Sequence, residues 1–250
     1  MRSLLPVASE RVDLEAAYAV PPETPFHLRA SFISSADGAV TLDGRSGGLG
    51  NAADKEIFGL ARDLADVILV GAGTARAEAY GASRPIGRRL ERRRRHGLPD
   101  APVMALVSES LQFDLDSDLF PTDEPRTVVI TSGASPADAR AAVAEHAEVL
   151  VLGDDAVDLA AAVAALRKRG LRRTHCEGGP RLFAGLVAAG LVDELCLTLA
   201  PLLTGPGAAR IVTGPAWPAP AYGVLQHVLE DEGFLFLRYL LTRLGQRTQS

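Results

Sequence analysis

Cysteine is scarce in this sequence, because Cys176 and Cys196 are the only two among 250 residues. Two cysteines build neither a disulfide framework nor a zinc site with the usual spacing, so we expect both to be small apolar residues of buried strands. His175 and Glu177 match the H-x-E half of a zinc deaminase signature, but the P-C-x-x-C half is missing. We therefore expect no metal here and interpret His175 as an ordinary strand residue.

Long apolar runs and aromatic residues are also scarce. No stretch approaches the roughly 20 apolar residues that span a bilayer, and the first residues lack the apolar run of a secretory signal, so we expect a cytoplasmic protein. The net charge of −5 disfavours nucleic acid and anionic membranes as partners. The basic segment between Arg84 and Asp100 has no interleaved aromatics, and we interpret it as a solvated loop. A salt-sensitive nucleic-acid site in this segment is the weakest alternative.

Motifs of nucleophilic catalysis are missing as well. The sequence has no G-x-S-x-G elbow, and none of its five histidines has a serine or cysteine partner at a known family spacing. If the protein is an enzyme, a bound cofactor must supply the difficult chemistry. Acid–base work would then fall to Asp37 or Glu177, which both lie at strand ends.

Alternating strand and helix patterns predict the fold class. Apolar β-friendly runs predict strands, helical spacing predicts the segments between them, and a turn at 231–233 predicts a closing hairpin. The pattern indicates an α/β domain with a mostly parallel mixed sheet, flanked by helices and ending in an antiparallel hairpin. We expect a polar lead-in over residues 1–25 and a single domain over 26–245. The predicted strands are 27–35, 66–70, 103–107, 127–131, 148–152, 172–177, 192–200, 224–230 and 234–241.

The segment from His175 to Gly205 carries the strongest functional signal. Gly178 and Gly179 separate a predicted strand from a helix that begins at Pro180, where proline is favoured. Backbone N–H groups at such a positive helix end suit a phosphate, although the glycines also suit a simple turn. Glu177 favours the ligand site, because ligands of open α/β sheets lie at the carboxyl ends of strands.

A second glycine segment, Gly71-Ala72-Gly73-Thr74, also joins a predicted strand to a helix. It is not a Rossmann fingerprint, because Arg76 occupies the third glycine position and no acidic residue ends a strand about twenty residues later. Either Thr74 simply caps the helix, or the two helix starts hold the two ends of one dinucleotide.

Arg62 lies on a predicted helix over residues 53–64 that faces the first glycine segment. It is either a surface salt-bridge partner of Asp63 or Asp66, or a clamp on a substrate phosphate, for which a planar guanidinium is suited. The glycine-rich stretch from Gly44 to Gly50 is interpreted as a mobile surface loop.

Taken together, these motifs resemble the pyrimidine reductase domain of bacterial riboflavin biosynthesis. The resemblance rests on S-x-D-G at 35–38, the Gly/Ser loop at 44–50, G-x-G-T at 71–74 and E-G-G-P…L-V-D-E-L…A-P-x-x-x-G at 177–205. It covers about residues 26–242 and is strongest with single-domain actinobacterial members. It implies a dihydrofolate-reductase-like fold, a homodimer, and NADPH-dependent reduction of a ribosyl group, as in 5-amino-6-(5-phosphoribosylamino)uracil reductase.

The resemblance also implies roles for particular residues. Cofactor contacts would come from Ile33, Ser34, Ser35, Gly71, Gly73, Thr74, Arg76, Glu78, Ser108, Gly178, Gly179, Pro180, Arg181 and Leu182. Substrate contacts would come from Ser46, Arg62 and Glu177, and the candidate catalytic residues are Asp37 and Glu177.

Three positions depart from the family pattern. Ser31 replaces a usual lysine and Gly48 replaces a frequent aromatic, both near the substrate, so reduction of a dihydrofolate-like pterin is an alternative function. A non-catalytic dinucleotide-binding regulatory module is another. Glu109, beside Ser108, would oppose the 2′-phosphate of NADPH unless Arg76 offsets its charge.

Overall fold

Ten strands pair into one mixed sheet among residues 1–21, 23–123 and 125–246, which the computed structural model describes. The strands are β1 (Arg2–Leu5), β2 (His27–Ser35), β3 (Val67–Gly71), β4 (Val103–Val107), β5 (Val128–Thr131), β6 (Glu148–Val151), β7 (Arg173–Cys176), β8 (Glu194–Ala200), β9 (Gly223–Asp231) and β10 (Phe234–Leu241). The helices are α1 (Leu14–Tyr18), α2 (Ala52–Asp63), α3 (Ala72–Ala77), α4 (Arg88–Arg95), α5 (Ala137–His146), α6 (Leu159–Lys168) and α7 (Pro180–Ala188).

The strand order is β1-β9-β10-β8-β2-β7-β3-β4-β5-β6. Strands from β8 to β6 in that order run parallel, and β10, β9 and β1 complete the sheet in antiparallel fashion. The predicted fold class, a mostly parallel mixed sheet with an antiparallel C-terminal hairpin, is confirmed. The polar lead-in contains two elements that the sequence did not predict, since β1 pairs with β9 and α1 packs nearby.

Central strands are buried on both faces, as continuous apolar runs predict. The first four residues of β3 are buried, and along β8 every second residue is buried. The even-numbered side chains of β8 face α2, where Cys196 packs in one cluster with Ile57 and Leu60. Both cysteines are free and buried, and burial raises the pKa of Cys176 to about 12. Within the described ranges, no helix has the length and apolar character needed to cross a membrane.

The prediction of a solvated arginine loop is wrong, because Arg88–Arg95 forms the helix α4. The arginines find acidic partners on other elements, which a local pattern cannot reveal. Arg89 and Arg92 both pair with the buried carboxylate of Asp63, and Arg92 also reaches Glu15 of α1. The basic helix α4 therefore links α1 and α2 through ion pairs.

Arg93 is fully buried and caps the C-terminal end of α2. Its Nη1 donates to the carbonyl oxygens of Arg62 and Asp63 at 3.2 Å and of Ala65 at 2.7 Å. Its Nε donates to the carbonyl of Pro99 at 2.7 Å, and burial lowers its pKa to about 10. The last carbonyls of a helix lack intrahelical partners, so Arg93 supplies what α2 cannot.

Arg93→Met keeps the aliphatic stem but removes these donors, which leaves the carbonyls of Arg62, Asp63 and Ala65 without this buried partner. We expect the free energy of unfolding, measured by urea denaturation, to fall by about 2–4 kcal/mol. Arg88→Met on the exposed side of the same helix is the matched control and should change it by less than about 0.5 kcal/mol. Equal stabilities of the two variants would contradict the capping role.

Candidate active site

The two glycine segments meet at the carboxyl ends of β3 and β7, which are neighbouring parallel strands. The amide of Gly71 donates to the carbonyl of Gly178 at 2.7 Å. A methyl group added to Gly71 would lie 3.4 Å from the amide nitrogen of Gly179, and one added to Gly179 would collide with Thr74 Oγ1. The predicted convergence of the segments is confirmed, and residues 71–74 with 178–180 are called the glycine junction below.

Helix starts at the glycine junction lack side-chain caps. Gly71 is the N-cap of α3 and Gly179 is the N-cap of α7, with Pro180 in the first turn, and neither cap has a side-chain hydrogen bond. The interpretation of Thr74 as a plain helix cap is therefore wrong, because Thr74 lies inside α3 with its hydroxyl beside Gly179. The free N–H groups of α7 remain available to an anion.

A cavity of about 620 Å³ lies between α2 and the sheet, and Thr74, Gly179 and Pro180 of the glycine junction line part of it. Residues of β2, β8 and β10 also line it, and its apolar lining includes Tyr18 and Phe236. Eight of the predicted site residues line it, namely Ile33, Ser46, Arg62, Thr74, Glu78, Glu177, Gly179 and Pro180. The structure therefore brings the predicted cofactor and substrate positions into one cavity.

Arg62 and Glu177 form a bidentate ion pair in this cavity. Arg62 Nε and Nη2 donate to the two carboxylate oxygens of Glu177, both at 2.6 Å. Arg62 is not a surface partner of Asp63 or Asp66, since the Glu177 side chain is 0% exposed and that of Arg62 is 22% exposed. Burial opposes the charge of Arg62, but the hydrogen bonds and charge of Glu177 outweigh it and raise the pKa of the guanidinium.

Two aromatic rings sandwich this guanidinium. The Cζ atom of Arg62 lies 4.9 Å from the ring centroids of both Phe58 and Tyr80. Burial raises the pKa of the Tyr80 hydroxyl, so it stays protonated as a hydrogen-bond donor near Glu177. Two nitrogens of Arg62 are bonded to Glu177, and the Tyr80 side chain also interacts with the guanidinium, so Nη1 is the nitrogen that is not bonded to Glu177.

His175 connects this ion pair to Ser31, one of the positions that depart from the family pattern. His175 Nε2 lies 2.9 Å from Ser31 Oγ, and its Nδ1 lies 3.3 Å from Glu177. Burial lowers the pKa of His175 to about 4, so the ring is neutral at pH 7. The prediction that His175 is a strand residue is confirmed, since it lies buried in β7, and its Nδ1 has no hydrogen-bond partner among the described residues. Among the described residues, no cluster of His, Cys, Asp or Glu suits a metal ion.

Asp37 is not among the residues that line this cavity, and its candidate catalytic role stays a prediction. Its exposed carboxylate accepts hydrogen bonds from the Ser35 hydroxyl, from the amide of Thr204 at 3.2 Å and from the amide of Gly205 at 2.9 Å. These bonds, led by that from Ser35, lower the pKa of Asp37. Its carboxylate ties the loop after β2 to the loop after β8, and it is poorly placed to move protons.

Three predicted cofactor residues have other partners. Glu78 accepts a hydrogen bond from the amide of Ser46 at 2.8 Å, which anchors the 44–50 loop. The side chain of Leu49, which is 1% exposed, anchors the same loop by its burial. This loop is therefore held at two points. Ser108 Oγ accepts from the amide of Leu111 at 3.0 Å, and Arg76 donates to the carbonyl of Gln112 at 2.9 Å.

The remaining predicted residues differ in what they offer. Ser34 and Ser35 are buried, Leu182 packs its side chain in the core, and Arg181 is exposed. Leu182 therefore has only its backbone N–H, in the first turn of α7, for a ligand. The carboxylate of Glu109 is already hydrogen-bonded. It accepts from the Ser132 hydroxyl at 2.7 Å and from the amide of Val157 at 2.9 Å.

Sequence reasoning missed Phe58, Tyr80 and Asp54, which line the cavity, and the contact of His175 with Ser31. Phe58 and Arg62 are four residues apart on one helix face, which is a signal that helical spacing contains. Tyr80, His175 and Asp54 offered no local signal, because their partners lie on other elements. Asp54, in the first turn of α2, lines the same cavity.

Comparison with known proteins agrees with this geometry. Residues 26–227 match the RibD C-terminal domain family. The chain is 31% identical over 152 residues to a 2,5-diamino-6-ribosylamino-4(3H)-pyrimidinone 5′-phosphate reductase of Archaeoglobus fulgidus, covering 61% of this chain and 69% of that protein. A reductase with the same name from Aquifex aeolicus is 27% identical over 189 residues, covering 73% of this chain and 80% of that protein.

The fold has a solved counterpart. A pyrimidine reductase-like protein from Corynebacterium diphtheriae matches with a TM-score of 0.82 and 31% identity, covering 93% of this chain and 100% of that one. The resemblance drawn from the sequence, with its dihydrofolate-reductase-like fold, is confirmed. Because the family match covers most of the chain, including the glycine junction and the Arg62–Glu177 pair, the chain belongs to the RibD C-terminal domain family.

Proposed function

We propose that this protein reduces the ribosyl group of an aminopyrimidine ribosyl phosphate to ribityl, with NADPH as the electron donor. The observation that carries the proposal is that the glycine junction and the Arg62–Glu177 pair line one cavity. The names of the relatives support the reaction class. The proposal retains a cytoplasmic location, a homodimer and a small-molecule substrate.

The glycine junction fits a dinucleotide because it has no room for side chains. A methyl group at Gly179 would fill the space beside Thr74, so backbone approaches the cavity there. Residues Thr74, Gly179 and Pro180 would hold the phosphates at the start of α7, and the backbone near Ile33 would flank the nicotinamide. When bound, NADPH would supply a hydride.

Arg62 and Ser46 would position the substrate. Arg62 Nη1 is the guanidinium nitrogen not bonded to Glu177, and the rigid stack of Phe58 and Tyr80 fixes its direction. A guanidinium held in this way can bind a phosphate without reorganising. Ser46 lies in the loop anchored by Glu78, so its hydroxyl is also held at the cavity wall.

Glu177 would act on the reacting centre. Its carboxylate is removed from water, and its two hydrogen bonds with Arg62 fix its orientation. A fixed carboxylate stabilises positive charge that develops on a glycosyl carbon as the ribosyl ring opens, and it accepts a hydrogen bond from a substrate hydroxyl. Tyr80, protonated and adjacent, donates a hydrogen bond without losing its proton.

Reduction of a dihydropterin is a second candidate. The observation that favours it is the apolar part of the cavity lining, which includes Ile57, Cys196, Phe236 and Tyr18. An apolar extension suits a larger, less polar substrate than a ribosyl phosphate. Steady-state rates with the pyrimidine phosphate and with dihydrofolate separate the two candidates.

Gly179 variants test the cofactor site. Gly179→Ala should weaken NADPH binding about tenfold, because the methyl group displaces Thr74, and Gly179→Asp should abolish it, because a carboxylate repels phosphate. Fluorescence titration of NADPH measures both. Ala142→Asp, at an exposed position of α5, is the control and should bind normally. Unchanged affinity of Gly179→Asp would refute the site.

Glu177→Gln tests the reacting centre. The amide keeps the shape but removes the charge, so we expect kcat to fall about 100-fold with NADPH affinity unchanged. Stopped-flow single-turnover rates with the pyrimidine phosphate measure the effect. Glu145→Gln, an exposed residue of α5, is the matched control and should keep full activity. A wild type that binds NADPH tightly but reduces no aminopyrimidine or pterin would indicate a regulatory module instead.

A further inference from the structure

Asp54 is a carboxylate in the cavity for which the proposed mechanism has no use. It lies in the first turn of α2 and lines the cavity wall. None of the ion pairs found in the described part of the chain includes it, in contrast to Glu177. Burial raises its pKa, although a hydrogen bond with Thr198 partly opposes this. A partly buried carboxylate without a cationic partner is costly, so a ligand that donates hydrogen bonds would stabilise it.

Thr198 and Gly50 lie beside the Asp54 carboxylate. Thr198 of β8 is in register with Ile33 of β2, so its hydroxyl stands on the cavity floor beside the strand that would flank the nicotinamide. A Cβ atom at Gly50 would lie 2.5 Å from Asp54 Oδ2, so a side chain at position 50 would require the carboxylate to shift. The backbone amide of Asp54 is occupied separately, by Asn51 Oδ1 at 2.9 Å.

Charges of opposite sign occupy the two ends of α2 along the cavity. Asp54 and Arg62 are eight residues apart, which is about 12 Å along a helix. The cavity therefore has an acceptor near Thr198 and a cation near the glycine junction. An aminopyrimidine ribosyl phosphate has hydrogen-bond donors at its ring end and an anion at its other end, so it matches both.

We propose that Asp54 binds the 2-amino group and the adjacent ring N–H of the pyrimidine, and that it thereby selects a 2-amino substrate over a 2-oxo substrate. This inference rests on the proposed function and specifies its substrate. An amino group beside a ring N–H presents two parallel donors to one carboxylate, as an amidine does. A 2-oxo ring presents an oxygen there, which a carboxylate repels.

The inference fixes the place of the reaction in a sequence of steps. The two substrates are 2,5-diamino-6-ribosylamino-4(3H)-pyrimidinone 5′-phosphate and 5-amino-6-(5-phosphoribosylamino)uracil, which differ in whether pyrimidine position 2 bears an amino or an oxo group. If Asp54 selects the amino compound, the 2-amino group is still present after the reduction. A hydrolytic deamination, in which water replaces ammonia at that carbon, must then consume the product.

Asp54→Asn tests the inference through the ratio of two substrates. We expect wild type to have a kcat/KM about 100-fold higher for the 2-amino than for the 2-oxo compound. In Asp54→Asn the value for the 2-amino compound should fall about 100-fold, while that for the 2-oxo compound changes less than about threefold. Asp155→Asn, at an exposed position, is the matched control and should keep the wild-type ratio.

Binding without cofactor separates recognition from stability. Isothermal titration of the 2-amino compound should show the same loss of affinity in Asp54→Asn, and thermal unfolding and NADPH titration should show a folded, cofactor-binding protein. A carboxylate that only stabilises the start of α2 would lower the melting temperature and leave the substrate ratio unchanged, which would overturn the inference. Reduction of both compounds at similar rates by wild type would overturn it as well. If wild type reduces neither compound, the proposed function fails first.

Discussion

One backbone hydrogen bond organises the functional end of this protein. The amide of Gly71 donates to the carbonyl of Gly178, which joins the loops after two adjacent parallel strands. Because Gly179 has no side chain, the starts of α3 and α7 lie close enough for Thr74 to meet it. A larger residue at Gly179 would collide with the Thr74 hydroxyl.

The polar groups of the cavity depend on this arrangement and on the position of α2. Glu177 follows β7 immediately before the glycine junction, and Arg62 reaches it from the last turn of α2. Arg93 holds that turn by its carbonyls, so the arginine-rich helix α4 contributes to the site without entering it. An ion pair removed from water in this way is costly by itself, and its position in a cavity is better explained by function than by stability.

Much of the fold was predictable, because the central strands are short apolar runs bounded by turn residues. β2 was predicted with its observed bounds, and the closing hairpin within a residue. α4 was not predictable, since six arginines in eight residues read as solvated until Asp63 and Glu15 are placed beside them. β1 was missed for a similar reason, because its partner β9 lies at the other end of the chain.

The parts of the site that short sequence motifs mark were predictable. The parts that depend on contacts between residues far apart in the chain were not. The glycine segments were found from local sequence, but the Arg62–Glu177 pair joins residues 115 positions apart. The contacts of Asp37 were not predictable, because the amides that bond its carboxylate lie after β8, 167 positions away. Asp54 was missed because its local sequence is that of an ordinary first-turn acid.

Hydride transfer from NADPH to the pyrimidine phosphate within this cavity is the central proposal. The most direct measurement is mass spectrometry of the pyrimidine phosphate after incubation of wild-type protein with NADPH labelled by deuterium at the nicotinamide C4. The account predicts a ribityl product that contains one deuterium at the former glycosyl carbon, formed in step with cofactor oxidation. Recovery of the unlabelled ribosyl compound, with the cofactor still reduced, would contradict it.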